Sequence, residues 1–178
     1  MSEHAAPPPA VGKARRNRAP GRVVRVPLDE GRCGYGRQLL GSNVEFYDRL
    51  GHPGEAVDLL ELVATPRLFT VCVTDSAFRR TSGWKLLDVV SLTEDEQAVV
   101  YRRFRRDPAG RCLTICRSDP AAGTYGERPA TLEEVAGLET AAVWSSPHVA
   151  DRLRDHFDGR PNIWVESRRA DRAGAAGN

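Results

Sequence analysis

The chain has 178 residues, of which 40% are apolar and 28% charged, enough for one hydrophobic core and too little for two large ones. The formal net charge is only +2, which excludes a composition built throughout for binding polyanions. No apolar run approaches the roughly 18 residues of a membrane-spanning helix, so no membrane partner is expected.

Residues 1–22 carry Lys13, Arg15, Arg16, Arg18 and Arg22 against Glu3 alone. Ala5-Ala-Pro-Pro-Pro-Ala10 has no apolar period to bury, so residues 1–20 read as a disordered basic tail. Nor is there the apolar segment of roughly 7–15 residues that a secretory signal needs, and a cytoplasmic location is expected. Residues 168–178 read as a second unanchored tail. Between them, 21–167 reads as a single domain. Residues 23–166 hold 18 basic and 22 acidic side chains, a net of −4. Of the basic residues 24 are Arg, a bias of the kind found in GC-rich bacterial genomes, and the basic ends read first as solvated tails.

The first two-thirds of the domain predicts strands. Val23–Leu28 is a β-branched run whose Pro27 requires a strand end or a sheet edge. Asp29-Glu30-Gly31 predicts a tight turn with Gly31 at positive φ. Arg32–Leu40 puts Tyr35, Arg37 and Leu39 on one face and Gly34 and Gly36 on the other, where another element should approach closely. Asn43–Asp48 alternates Val44 and Phe46 against Glu45 and Tyr47. Residues 50–55 form a loop, and 56–63 fit a short helix or a connector. Leu68–Thr74, apolar on both faces, predicts a central strand. Ser76–Arg80 predicts a helical turn, and Trp84–Val90 another strand. Thr93–Glu96 is an acidic helix start or loop. Val99–Phe104 and Arg111–Arg117 predict a hairpin closed by Asp107-Pro-Ala-Gly110.

The period then changes. Thr131-Leu-Glu-Glu134 is a capping box. Ser146-Pro147 opens a second helix with Val149, Leu153 and Phe157 on one stripe, ended by Gly159. Asn162–Ser167 predicts a closing strand. With no βαβ alternation, the reading is an α+β fold, a mostly antiparallel β-sheet or partly open barrel with short C-terminal helices.

The chemistry-bearing residues do not assemble into a catalytic pattern. The Gly31–Gly36 segment matches neither dinucleotide-binding nor phosphate-loop spacing. His148 and His156 lie two helical turns apart, too far to share a metal. Ser76, Ser82 and Ser145 qualify as nucleophiles by residue type only, without a Gly-x-Ser-x-Gly turn. Cys33, Cys72, Cys112 and Cys116 lie in apolar runs and read as reduced thiols. No enzyme activity, cofactor or metal is expected. Arg102-Arg-Phe-Arg-Arg106 could hold phosphates together with the basic N-terminal tail, which makes a small nucleic-acid-binding module the alternative reading.

Read as one unit, Gly21-Arg-Val-Val-Arg-Val-Pro-Leu-Asp-Glu-Gly31-Arg-Cys-Gly-Tyr35-Gly-Arg37, followed by Val44-Glu-Phe-Tyr-Asp48, resembles the start of the immunity protein 26 family. Leu68–Val73, Gly83-Trp-Lys-Leu-Leu87, Gly137–Trp144 and Val149–Leu153 resemble its later segments, so the likeness runs over about residues 21–157. The resemblance implies a non-enzymatic, β-rich inhibitor that neutralises a protein toxin encoded nearby in a bacterial polymorphic toxin system. It implies no cofactor and no catalytic residue. The acidic body suits a basic toxin. Expected contacts are the acidic residues near turns, Asp29, Glu30, Asp48, Glu94, Asp95 and Glu96, with Tyr35 and Tyr47 as exposed anchors. Trp84 and Trp144 read as core. A protein partner is preferred to nucleic acid.

Overall fold

The computed structural model describes residues 11–12, 17–29, 31–110 and 112–170. In chain order the strands are β1 (Val11–Gly12), β2 (Arg22–Pro27), β3 (Cys33–Gln38), β4 (Asn43–Tyr47), β5 (Arg67–Val73) and β6 (Lys85–Val90). They continue with β7 (Tyr101–Arg106), β8 (Leu113–Asp119), β9 (Thr124–Ala130) and β10 (Val143–Trp144). The helices are α1 (Leu59–Val63), α2 (Glu94–Gln97), α3 (Leu132–Val135), α4 (Ser146–Phe157) and α5 (Ile163–Glu166). Two 3₁₀ turns, Asp75–Phe78 and Arg80–Ser82, link β5 to β6.

Two open sheets result. The larger runs β1-β6-β2-β3-β4-β5-β10, antiparallel except for the β5–β10 pair, and the smaller runs β7-β8-β9. The α+β, β-rich architecture is the expected one, as open sheets rather than a barrel. Pro27 ends β2, which lies inside the sheet between β6 and β3, so its missing N–H is tolerated at the terminus.

Nearly every residue of β2, β3 and β4 is buried, because the large sheet is covered on both faces. On one face Val24, Val26, Val44, Phe46, Val71 and Trp84 pack against Val149 and Leu153 of α4. On the other, Val23, Cys33, Tyr35 and Tyr47 pack beneath Leu62 of α1. The glycine face of β3 follows from this packing. A Cβ on Gly34 would stand 3.0 Å from Leu153 Cδ1, and one on Gly36 would stand 2.7 Å from the Phe46 ring. The small sheet has its own core of Phe104, Ile115 and Val135. Backbone bonds from Phe104 N–H to the Glu139 carbonyl (2.9 Å) and from Ala141 N–H to the Phe104 carbonyl (2.7 Å) join it to the chain leading into β10.

Four expectations are corrected. Leu68–Thr74 is not central: β5 lies one place from the edge, because its outer partner is the two-residue β10. Asn162–Ser167 is a helix, not a strand. The Asn162 side chain accepts the Val165 N–H at 3.1 Å, and that cap bends the segment into a turn. Gly31 does not adopt positive φ, since the Asp29 side chain accepts its N–H at 3.1 Å and closes the turn instead. Cys112 is exposed beside the β7–β8 turn rather than buried in a strand. The segment 124–130, unassigned from sequence, is β9. Its side chains are almost all exposed, so it carries no burial pattern to read. Within the segment expected as a tail, Val11–Gly12 pairs with β6, and Arg18 pairs with Asp75 and lies 4.9 Å over the Phe78 ring. No helix among the described residues is long and apolar enough to cross a membrane.

The packing of β3 sets a test. Gly36→Ala should destabilise the protein by about 1–3 kcal/mol through overpacking against Phe46, whereas Gly126→Ala, with no heavy atom within 4 Å of its would-be Cβ, should stay within about 0.5 kcal/mol. Urea unfolding of both variants reads the difference, and equal costs would contradict the close approach.

Candidate functional site

The charged face of the large sheet is organised by Arg37 on β3. Alternation places Arg37 on the same face as Tyr35, and Glu45 on the same face as Tyr47. The register sets Arg37 directly opposite Glu45. Both are essentially inaccessible, at 2% and 1% exposure. Arg37 Nε donates to Glu45 Oε1 at 2.9 Å, and its Nη2 lies 2.8 Å from the same oxygen. The Tyr47 hydroxyl also donates to that oxygen, and Arg67 Nε stands 3.2 Å from Oε2. Arg37 Nη2 reaches further, to Glu96 Oε1 on α2.

Glu96 therefore has two tasks. Its Oε2 accepts the Thr93 N–H at 2.9 Å, while Thr93 Oγ1 accepts the Glu96 N–H at 3.2 Å. This capping box builds a four-residue helix that would be marginal alone. The other oxygen bonds that helix to the buried guanidinium. Burial opposes the Arg37 charge, but Tyr47, Glu45 and Glu96 outweigh it and hold the guanidinium above its ordinary range. The Tyr47 hydroxyl is pushed far up, by burial first and by the Glu45 charge second. A cavity of about 130 Å³ beside the network is lined by Leu39, Glu45, Arg67, Asp95, Glu96 and Val99.

The sequence-derived contact residues fall into two groups at opposite ends of β3. Glu94 and Asp95 are exposed on α2, with Glu96 half-buried beneath them. Asp29 and Asp48 are exposed at the far end, around the C-terminus of α4. Asp29 is bound by Arg32 Nε at 2.6 Å. The Arg32 bond, with help from the Gly31 N–H, lowers the Asp29 carboxyl below the usual range. Arg32 also pairs with Asp158 at 2.7 Å, and Asp48 meets His156 Nε2 at 3.1 Å. Glu30 lies outside the described residues. Tyr35 and Tyr47, expected as exposed anchors, are instead buried at 0% and 1% exposure. The ring of Tyr35 fills the sheet beneath Gly51, where a Cβ would approach its hydroxyl to 2.4 Å. Trp84 and Trp144 are core residues.

The basic run 102–106 is divided by its strand. Arg103 is buried, Arg105 pairs with Glu127 at 2.8 Å, and Arg106 donates to the Arg169 carbonyl at 3.3 Å. No group of three or more His, Cys, Asp or Glu among the described residues is placed to hold a metal ion. Sequence reasoning missed Arg37, Glu45 and Arg67 as one unit. The available signal was that Glu45 shares a strand face with Tyr47, and Arg37 with Tyr35.

Two outcomes are expected from this network. Glu45→Ala leaves Arg37 buried beside only Glu96 and should cost about 3–5 kcal/mol in chemical denaturation, with a smaller loss for the exposed partner in Arg67→Ala. Burial also holds the hydroxyls of Tyr35 and Tyr101 up to about 12. The native state thus keeps protons that the unfolded chain releases near pH 10, so stability present below about pH 10 should fall as pH rises from there towards about 12. Tyrosinate absorbance followed together with unfolding checks this, and tyrosine ionisation well before any loss of stability would contradict it.

Comparison with known proteins matches residues 19–111 to a family model described as Immunity protein 26. No curated protein and no solved structure matches the chain. The matched segment begins before β2 and ends after β7, so it takes in the Arg37–Glu45–Glu96 network and both groups of acidic residues. It covers just over half of the chain, which therefore belongs to the immunity protein 26 family.

Proposed function

We propose that this chain is a non-enzymatic immunity protein that binds and neutralises a toxin encoded nearby in a bacterial polymorphic toxin system, acting in the cytoplasm. The observation that carries the reading is family membership over residues 19–111. The geometry adds a mechanism. An inhibitor gains affinity when its contact groups are held in place before binding. Glu94 and Asp95 ride on a helix tied through Glu96 to a buried guanidinium. Asp29 and Asp48 are held by Arg32 and His156. Both groups present negative charge from a scaffold whose 23–166 segment is net −4. Such a surface favours a basic toxin, because opposite fields speed the encounter. Tyr35, Tyr47 and Glu96 act from beneath, by fixing the strands and the helix that carry these groups, and Glu30, next to Asp29 in the sequence, is proposed to act with it.

The test is co-expression. The neighbouring large open reading frame is expressed alone and then with this chain. Growth arrest alone with recovery on co-expression supports the proposal, and a harmless neighbour, or one that kills despite well-expressed immunity protein, sinks that pairing. On the purified complex, the double variants Glu94→Lys with Asp95→Lys, and Asp29→Lys with Asp48→Lys, separate the two acidic groups. The group at the interface should weaken binding at least about tenfold, equivalent to about 1.4 kcal/mol. That loss should lie largely in the association rate and shrink at high salt.

A further inference from the structure

Arg103 on β7 is one of four arginines buried among the described residues, with Arg22, Arg25 and Arg37, and at 7% exposure its surroundings differ from those of Arg37. Its Nη2 donates to Asn43 Oδ1 at 2.8 Å and to the Thr70 carbonyl at 3.5 Å. The guanidinium carbon lies 5.2 Å from the centre of the Tyr101 ring. All three partners are neutral, and no carboxylate among the described residues lies within ion-pair distance of Arg103. A cation withdrawn from water with only neutral partners is costly, and this protein meets the same cost at Arg37 with two carboxylates. Among the described residues, protein acceptors meet Nη2 alone, which leaves Nε and Nη1 available as donors.

Arg103 lines a cleft of about 460 Å³ between the two sheets, within the usual range of about 300–1,000 Å³ for small-molecule sites. Tyr101 lines it too, and its enclosed hydroxyl has no hydrogen-bond partner among the described residues. Much of the wall is apolar, including Cys72, Cys116, Pro120, Ala142 and Val143. Asp119 is the acidic group of the lining, with its Oδ1 accepting the Ala122 N–H at 3.0 Å.

We propose that this inter-sheet cleft binds a small organic monocarboxylate, its carboxylate on Arg103 and its apolar body along Cys72, Cys116 and Val143. The buried cation calls for one negative charge. Asp119 disfavours a second one, and the apolar wall disfavours a bare inorganic anion. The site is separate from the acidic surfaces proposed for the toxin, so it stands or falls independently of them.

The experiment is an amide NMR titration of the full ¹⁵N-labelled chain with octanoate and benzoate, compared with octanamide and inorganic phosphate. Saturable shifts at Asn43, Cys72 and Cys116 are expected, with dissociation constants below about 1 mM. Octanoate should bind about tenfold more tightly than octanamide, as a charge-assisted pair requires. Arg103→Gln should abolish that preference. Should that variant fail to fold, Ala142→Leu fills the cleft with Arg103 intact and should abolish binding. The proposal is overturned if folded wild type shows no saturable shifts with either carboxylate. It is equally overturned if octanamide binds as well as octanoate, if phosphate binds the same amides as tightly, or if octanoate binding survives cleft filling.

Discussion

Arg37 is the residue on which the charged half of this structure depends. Its guanidinium is out of water, and carboxylates that meet its donors in good geometry offset the cost of burying it. Glu45 comes from the neighbouring strand by register, Glu96 from a helix more than fifty residues further along the chain, and Tyr47 adds a hydroxyl to the shared oxygen. Three separate segments thus become one unit. A four-residue helix has little stability of its own. Here its capping box and its tie to the cation both run through Glu96, so its exposed acids share the rigidity of the sheet.

The same sheet shows how packing on two faces constrains sequence. Between α4 and α1 nearly every side chain of β2, β3 and β4 is enclosed. One face solves this with aliphatic and aromatic residues and with glycines that admit Leu153 and Phe46. The other face buries charge as well: Arg25 there meets the Glu55 carbonyl and the Tyr35 ring, and Arg37 meets carboxylates. Arg103, at the junction with the small sheet, is bound by an amide oxygen and a carbonyl only. That contrast within one molecule separates a cation that serves the fold from one that faces a cleft.

For an immunity protein this division has a physical logic. Neutralisation by binding needs a surface whose contacts are ordered beforehand, because side chains that must be immobilised on association subtract from affinity. In the proposed role, acids pinned by Arg32, His156 and Glu96 would meet that requirement. On that proposal the scaffold supplies position, and the exposed carboxylates would supply the field that orients a partner on approach.

The sequence by itself determined most strands, the capping box at Thr131, the α4 stripe and the family, because each is a local pattern: alternation, a three-residue cap spacing, a 3.6-residue period, or an ordered set of short motifs. It placed Gly34 and Gly36 on a face approached by other groups, and it named the acidic turns. Only the tertiary structure decided which charges are buried. Whether Glu45 is solvated or enclosed depends on α1 and α2 closing over its face, and no property of β4 alone encodes that. Tyr35 and Tyr47 were misjudged as surface residues for the same reason, since an alternating strand looks half-exposed until both faces are covered. Strand β9 escaped because its pairing with β8 rests on backbone hydrogen bonds, with almost no buried side chains to mark it. The pairing of Arg37 with Glu96, and the lack of any such partner for Arg103 among the described residues, arise from how segments far apart in the chain are placed, which is settled only once the sheets have assembled.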